Sequence, residues 1–292
     1  MSRRNALIVL AFLALAAIFF APVVFGSESF IPFDNLFRFP PWNAFAAQFG
    51  ITTPHNELVS DLVLENYEWK KFIVESLQAH EIPLWNPYLF AGAPFLAAGQ
   101  HSALYPFSLL FYVLPLDRAY GLFVALQIAI AALTMFAFMR VLGLRRFSAS
   151  ISAITYAFSG FMIVSTTFPM IISAAAWLPA VLACVELIVQ SKDLPRRILF
   201  TLIGAIVLGI QFLAGHVEIS IYILIVTAFY SLWRILTAYP LRSLFSFRRQ
   251  NSIGAAQSGQ GNQARLLLLV AIMAGLGISL GAVQLIPLYE LV

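Results

Sequence analysis

Ala119-Tyr-Gly-Leu-Phe-Val-Ala-Leu-Gln-Ile-Ala-Ile-Ala-Ala-Leu-Thr-Met-Phe-Ala-Phe-Met139 carries no charged residue between Arg118 and Arg140. At 1.5 Å rise per residue, a helix of this length covers the roughly 30 Å hydrocarbon core of a bilayer. Six further stretches approach or reach it: Leu7 to Phe25, Ile151 to Thr167, Ile171 to Val189, Ile198 to Leu213, Val217 to Leu236 and Leu266 to Leu288. Together they predict an all-α multispanning membrane protein with about seven transmembrane helices in a single transmembrane domain, residues 1–292. The first stretch follows Arg3 and Arg4 like a signal peptide, but it is longer than an ordinary apolar leader core and lacks a clear cleavage site. It reads as a retained first helix.

Composition agrees with this class. The chain is 61% hydrophobic and 10% charged, whereas soluble domains carry about 25% charged residues. A soluble Rossmann enzyme, a nucleic-acid-binding domain and a disordered tail are excluded, and the net charge of +4 implies no nucleic-acid partner. The single cysteine, Cys184, precludes a disulfide framework and a Cys-based metal site, and is expected to be a small buried apolar residue. Tyr105 to Leu116, bounded by Pro106 and Pro115, is too short to span and reads as an interfacial or re-entrant helix.

Orientation follows from basic residues in the loops. With a cytoplasmic N-terminus, 13 of the 17 Lys and Arg residues fall inside, leaving Arg38, Lys70, Lys71 and Arg118 outside. The same assignment puts all four histidines (His55, His80, His101, His216) and most carboxylates at the extracytoplasmic side. Helix centres are nearly free of charge, with Gln127 and Gln211 the main polar exceptions. Residues 26–102 form the one large outer loop. Its early part, Phe30 to Trp42, alternates aromatics with prolines and is expected to lie on the membrane. Residues 250–264, rich in Gln, Gly, Ser and Asn, read as a flexible cytoplasmic linker.

Chemistry gathers in the outer loop. From Asn56 to Ala79 the pattern is that of an amphipathic helix, with Leu62, Trp69, Ile73 and Leu77 on one stripe and Asp61, Glu65, Glu68 and Glu75 on another. These carboxylates suit a general base, or a pair of hard oxygen ligands for a divalent cation; equally, they suit a solvated helix face laced to Lys70 and Lys71. Beyond it, Ile82 to Pro106 is dense in Pro, Gly and aromatics, with isolated Asn86, Gln100 and His101, as in a rigid loop that offers ring faces and amides to a sugar.

The strings Trp85-Asn86-Pro87-Tyr88, Phe90-x-Gly92-x-Pro94-Phe95, Gln100 and Tyr105-Pro106, followed by Ala214-Gly215-His216-x-Glu218 and Gln284-Leu-Ile-Pro-Leu-Tyr-Glu-Leu291, occur in an order that resembles the bacterial YfhO family. That resemblance implies a GT-C-like fold and a glycosyltransferase that moves a sugar from a polyprenyl-phosphate donor to a cell-envelope glycopolymer such as teichoic acid, on the extracytoplasmic side of the cell membrane. It implies Asp61 as the catalytic carboxylate, with Asp34 as rival. It also implies Glu65, Trp85, Asn86, Tyr88, Gln100, Tyr105, His216 and Glu218 as substrate-binding residues. Positive charge for the leaving phosphate is expected from Mg²⁺ or Mn²⁺, or from Arg38, Lys70, Lys71 or Arg118. Family members are longer, so this chain is expected to be the N-terminal portion, and inactive on its own. Glu65 and Glu68 stand where the family usually shows Gln and Pro. Two other functions fit the same topology: a transporter or flippase of a lipid-linked precursor, and a non-catalytic scaffold of envelope synthesis.

Overall fold

The computed structural model describes residues 3–52, 56–89, 91–239 and 253–291. His55, Phe90 and residues 250–252 of the expected linker lie outside them. The longer helices are α1 (Arg3–Phe19), α2 (Tyr67–Gln78), α3 (Leu116–Val141), α4 (Arg146–Ala157) and α5 (Gly160–Val164), then α6 (Pro169–Ala175), α7 (Leu178–Gln190), α8 (Leu194–Leu213), α9 (Val217–Ala238) and α10 (Ile253–Leu291). The two-residue strands β1 (Trp85–Asn86) and β2 (Ala93–Pro94) pair antiparallel and form the only sheet among the described residues.

Among the described residues, five helices are long and apolar enough to cross a membrane: α3, the run Pro169–Gln190 built from α6 and α7, α8, α9, and Gly261–Glu290 within α10. A sixth span arises if α4 and Gly160–Thr167, bent by 41°, count as one. The expected seventh falls short. Asn5–Phe19 is a shorter apolar helix, because the chain breaks at Phe20 and restarts in the four-residue turn Ala21–Val24 with Pro22 in its opening turn. Tyr105 to Leu116 does not span either; it folds into Pro106–Ser108 and Leu109–Val113.

The linker expectation is corrected in part. Residues 253–264 are helical, and Asn262 and Gln263 bond to Arg197 and to the Tyr239 carbonyl. Adding a turn to an existing helix is cheap compared with nucleating one, and Ala and Gln accept it. Further along, α8 and α10 approach closely through glycines: a β-carbon at Gly281 would stand 2.7 Å from that of Phe212. Small residues of this kind let apolar helices pack where lipid supplies no hydrophobic drive. Cys184, as expected, is buried in this packing.

A charged pair sits within the spans, between α7 and α9, where the sequence reading expected helix centres nearly free of charge. Glu186 of α7, 1% exposed, receives Arg234 Nε at 2.7 Å on Oε2 and Arg234 Nη2 at 2.8 Å on Oε1; Tyr230 and Gln190 add further donors. At the end of the bundle nearest the long loop, Leu62, Val63, Tyr105 and Phe111 pack onto Tyr120, Phe123, Ala174 and Ala214. This cluster holds the loop in one place above the helix ends.

Candidate functional site

The helix expected from residue 56 onward is not one regular α-helix. Glu57–Val59 is a 3₁₀ turn, Leu62–Asn66 a π turn, and only from Tyr67 does α2 begin. A π turn widens the spacing of side chains and recurs at functional sites. Here it divides the carboxylates that ideal α-spacing placed on one face. Asp61 and Glu65 line a cavity of about 210 Å³, while Glu65, Glu68 and Glu75 line a neighbouring groove.

The cavity also receives Gln100 and His216, from segments far apart in sequence. Two glycines bring them together. Gly99 (φ +76°) and Gly215 (φ +91°) both adopt the left-handed conformation that side chains resist. They touch: a β-carbon on Gly215 would lie 2.3 Å from the Gly99 carbonyl oxygen. Ser102 Oγ donates to the Ala214 carbonyl at 2.6 Å, and Gln284 Nε2 donates to the Gly99 carbonyl at 3.0 Å. The motif Ala214-Gly215-His216 is thus a socket for residues 99–102.

His216 has one defined role in the fold. It caps α9, its Nδ1 accepting from the Ile219 amide at 3.3 Å, so the neutral ring carries its proton on Nε2. Burial pushes its pKa below the usual imidazole value, and the Glu218 charge opposes this. Glu65 moves the other way: burial first, and the Asp61 charge second, raise its carboxyl above the usual range. The cavity therefore holds two neighbouring carboxylates and a neutral imidazole, a combination suited to accepting and donating protons.

Sequence reasoning missed Asn66, Thr167, Phe168, Met170 and Ile171, which complete the lining. Asn66 is 5% exposed, with its amide nitrogen bonded only weakly, to Met170 sulfur at 3.7 Å. The signal available was the Thr167-Phe168-Pro169 interruption of two apolar runs, where Pro169 opens α6.

Other expected site residues lie elsewhere. Asn86 and Tyr88 line the groove beside Glu65, and Trp85 a hollow continuing from it. Asp34 sits on the 3₁₀ helix Phe33–Arg38, and Glu218 is exposed in the first turn of α9; neither lines the cavity. Tyr105 must be corrected: it is 1% exposed, its hydroxyl donating to Gln127 Oε1 at 2.8 Å and accepting from Trp177 Nε1 at 3.0 Å. It is a core residue because its hydroxyl finds partners within the helix bundle.

Lys70 is also corrected. Instead of facing Glu68 and Glu75 it turns inward, 2% exposed, its Nζ 2.5 Å from the His101 carbonyl oxygen, 3.3 Å from Ser108 Oγ and 4.6 Å from the Phe111 ring centre. The reason is registry: Ile73, one turn on, is buried on the same face. Among the described residues no group of three or more His, Cys, Asp or Glu is placed to hold a metal ion; Asp61 and Glu65 supply two carboxylates only. Comparison with protein-family models, curated proteins and solved structures gives no match.

Proposed function

We propose that this chain belongs to a membrane glycosyltransferase of the GT-C type, which transfers a sugar from a polyprenyl-phosphate donor to a cell-envelope acceptor on the extracytoplasmic side. The resemblance to the YfhO family motivates the reaction class. One observation carries the site: Asp61, Glu65, Gln100 and His216, drawn from three segments, converge in a single cavity beside the ends of apolar helices. A lipid-phosphate donor must sit at headgroup level, so its reacting carbon comes to such a place.

In this reading the acceptor hydroxyl attacks the anomeric carbon and Asp61 takes its proton, while the bond to the polyprenyl phosphate breaks and the bonding pair leaves with the phosphate. Glu65, its charge disfavoured by burial and by Asp61, holds the acceptor by hydrogen bonds. His216, with Nδ1 committed to the helix cap, offers Nε2–H to the leaving phosphate oxygen. Lys70 is withdrawn from this task by its burial. Among the described residues Asp61 and Glu65 alone do not make a Mg²⁺ or Mn²⁺ site, and both are engaged by the acceptor in this reading.

Transport is the weaker reading. A substrate path needs a line of free polar groups along the spans, whereas Glu186 is saturated by donors, and the unpartnered atoms Gln127 Nε2, Gln211 Oε1, Thr227 Oγ1 and Gln284 Oε1 sit singly on four different helices. The deciding experiment measures sugar transfer by full-length protein in nanodiscs from a radiolabelled polyprenyl-phosphate sugar. Asp61→Asn is expected to cut the rate by about 10²–10⁴-fold with melting unchanged; undiminished transfer would remove Asp61 from the mechanism.

A further inference from the structure

We propose that α2 and the β1–β2 hairpin form an extended acceptor groove for a glycan of neutral or amine-bearing sugars, and that this groove turns away phosphate-bearing polymers, against the teichoic-acid acceptor that the family resemblance implies. Its starting point is Glu65, which lines both the Asp61 cavity and the adjoining groove of about 600 Å³. That groove runs on into a hollow of about 330 Å³, sharing Phe72, Glu75 and Tyr88 with it. A chain lying along α2 would therefore have one end at the reacting carboxylates.

The two walls differ in chemistry. The α2 wall and its continuation carry four carboxylates, Glu65, Glu68, Glu75 and Glu81, against one ammonium, Lys71. The hairpin wall carries no charge; it offers Trp85, Tyr88 and the Asn86 amide. Tyr88 is 80% exposed and Trp85 54% exposed, yet both are held in place. Asn86 Oδ1 accepts from the Tyr88 amide at 2.9 Å, Tyr88 packs edge-on to Phe72, and Trp85 pairs across the hairpin with Pro94. Ordered aromatic faces left open beside carboxylates match a sugar, whose C–H face stacks on a ring while its hydroxyls or amines donate to oxygen. A polymer with a phosphate in each repeat meets like charge along the full groove.

The class of acceptor rests on the sugar-transfer reading, but the test does not need turnover. Full-length protein in nanodiscs, without donor, is titrated with a hexamer of N-acetylglucosamine, a hexamer of glucosamine and poly(glycerol phosphate) of similar length. Both hexamers are expected to bind, glucosamine the tighter, with the phosphate polymer at least about tenfold weaker. Tyr88→Ala and Trp85→Ala, at exposed positions that spare the fold, are expected to weaken both hexamers about five- to tenfold. Glu68→Gln with Glu75→Gln should erase the glucosamine advantage. Failure of either hexamer to bind, indifference to both aromatic substitutions, persistence of the glucosamine advantage without those carboxylates, or phosphate-polymer binding as tight as the hexamers overturns the proposal. Groove binding with no sugar transfer would instead overturn the transfer reading and leave the groove standing.

Discussion

Gly215 lies so close to Gly99 that only hydrogen fits between the Gly215 α-carbon and the Gly99 carbonyl oxygen, which a β-carbon would approach to 2.3 Å. Backbone, rather than a flexible side chain, stands in the way. The contact fixes both Gln100 and His216, so its loss should be felt in the cavity before it is felt in the bundle.

Gly215→Ala is accordingly expected to destabilise the protein by about 1–3 kcal/mol, from positive-φ strain and overpacking together. Donor binding should fall further than melting temperature does. Thermal melts in detergent beside donor-binding titrations check this; an alanine variant that matches wild type in both would show that the glycine contact does not position the site.

Glu186 and Arg234 form a pair in which the carboxylate is buried and the guanidinium side chain is 25% exposed. Arg234→Met leaves a carboxylate 2% exposed at its side chain without its guanidinium, an arrangement that costs about 3–5 kcal/mol in comparable buried pairs. The double variant Glu186→Leu with Arg234→Met should recover most of that loss. Melting temperatures of the two single variants and the double one form the cycle, and additive losses would show that the pair is not coupled.

Apolar runs were readable because spanning a bilayer demands length and lack of charge, both of which are local properties. Site chemistry was half readable. Asp61, Glu65, Gln100 and His216 stand out by residue type, but their meeting depends on contacts such as Ser102 to Ala214, 112 positions apart. Lys70 could not be placed by pattern, because its burial rests on three partners assembled from residues 101, 108 and 111. Glu186 escaped notice for a similar reason: an acid in an apolar run looks costly until its arginine, 48 residues later, comes into view. The π turn at Leu62–Asn66 left no trace in hydrophobic spacing, so the carboxylates looked like one face instead of two.

Lys70 gives a pH dependence of defined sign. Burial lowers its pKa from an ordinary value of 10.5 to about 7, so between those values the unfolded chain binds a proton that the folded chain does not. Stability owed to this group therefore rises with pH from about 7 towards 10.5. Wild type should gain melting temperature relative to Lys70→Met as pH increases from about 7 to 9. Parallel melting curves for the two proteins across that interval would show that the ammonium stays charged in its buried site.

His216 predicts a dependence of the same sign at lower pH. Its Nδ1 can accept from the Ile219 amide only while it lacks a proton, and burial holds the folded pKa below the ordinary 6.5. The contribution is complete above that ordinary value and is lost as pH falls through the folded one. An N-cap is worth about 0.5–2 kcal/mol, which sets the expected size of the loss. Asn at the same position keeps a cap that does not titrate in this range, while removing the Nε2–H offered to a leaving phosphate. His216→Asn should therefore flatten the acid side of the stability profile and, in the same protein, weaken donor binding at neutral pH. Melting temperature from about pH 5 to 8, read beside donor affinity at pH 7.5, separates the two roles. A variant that melts like wild type throughout has lost no titrating cap, and one that binds donor as before never used Nε2.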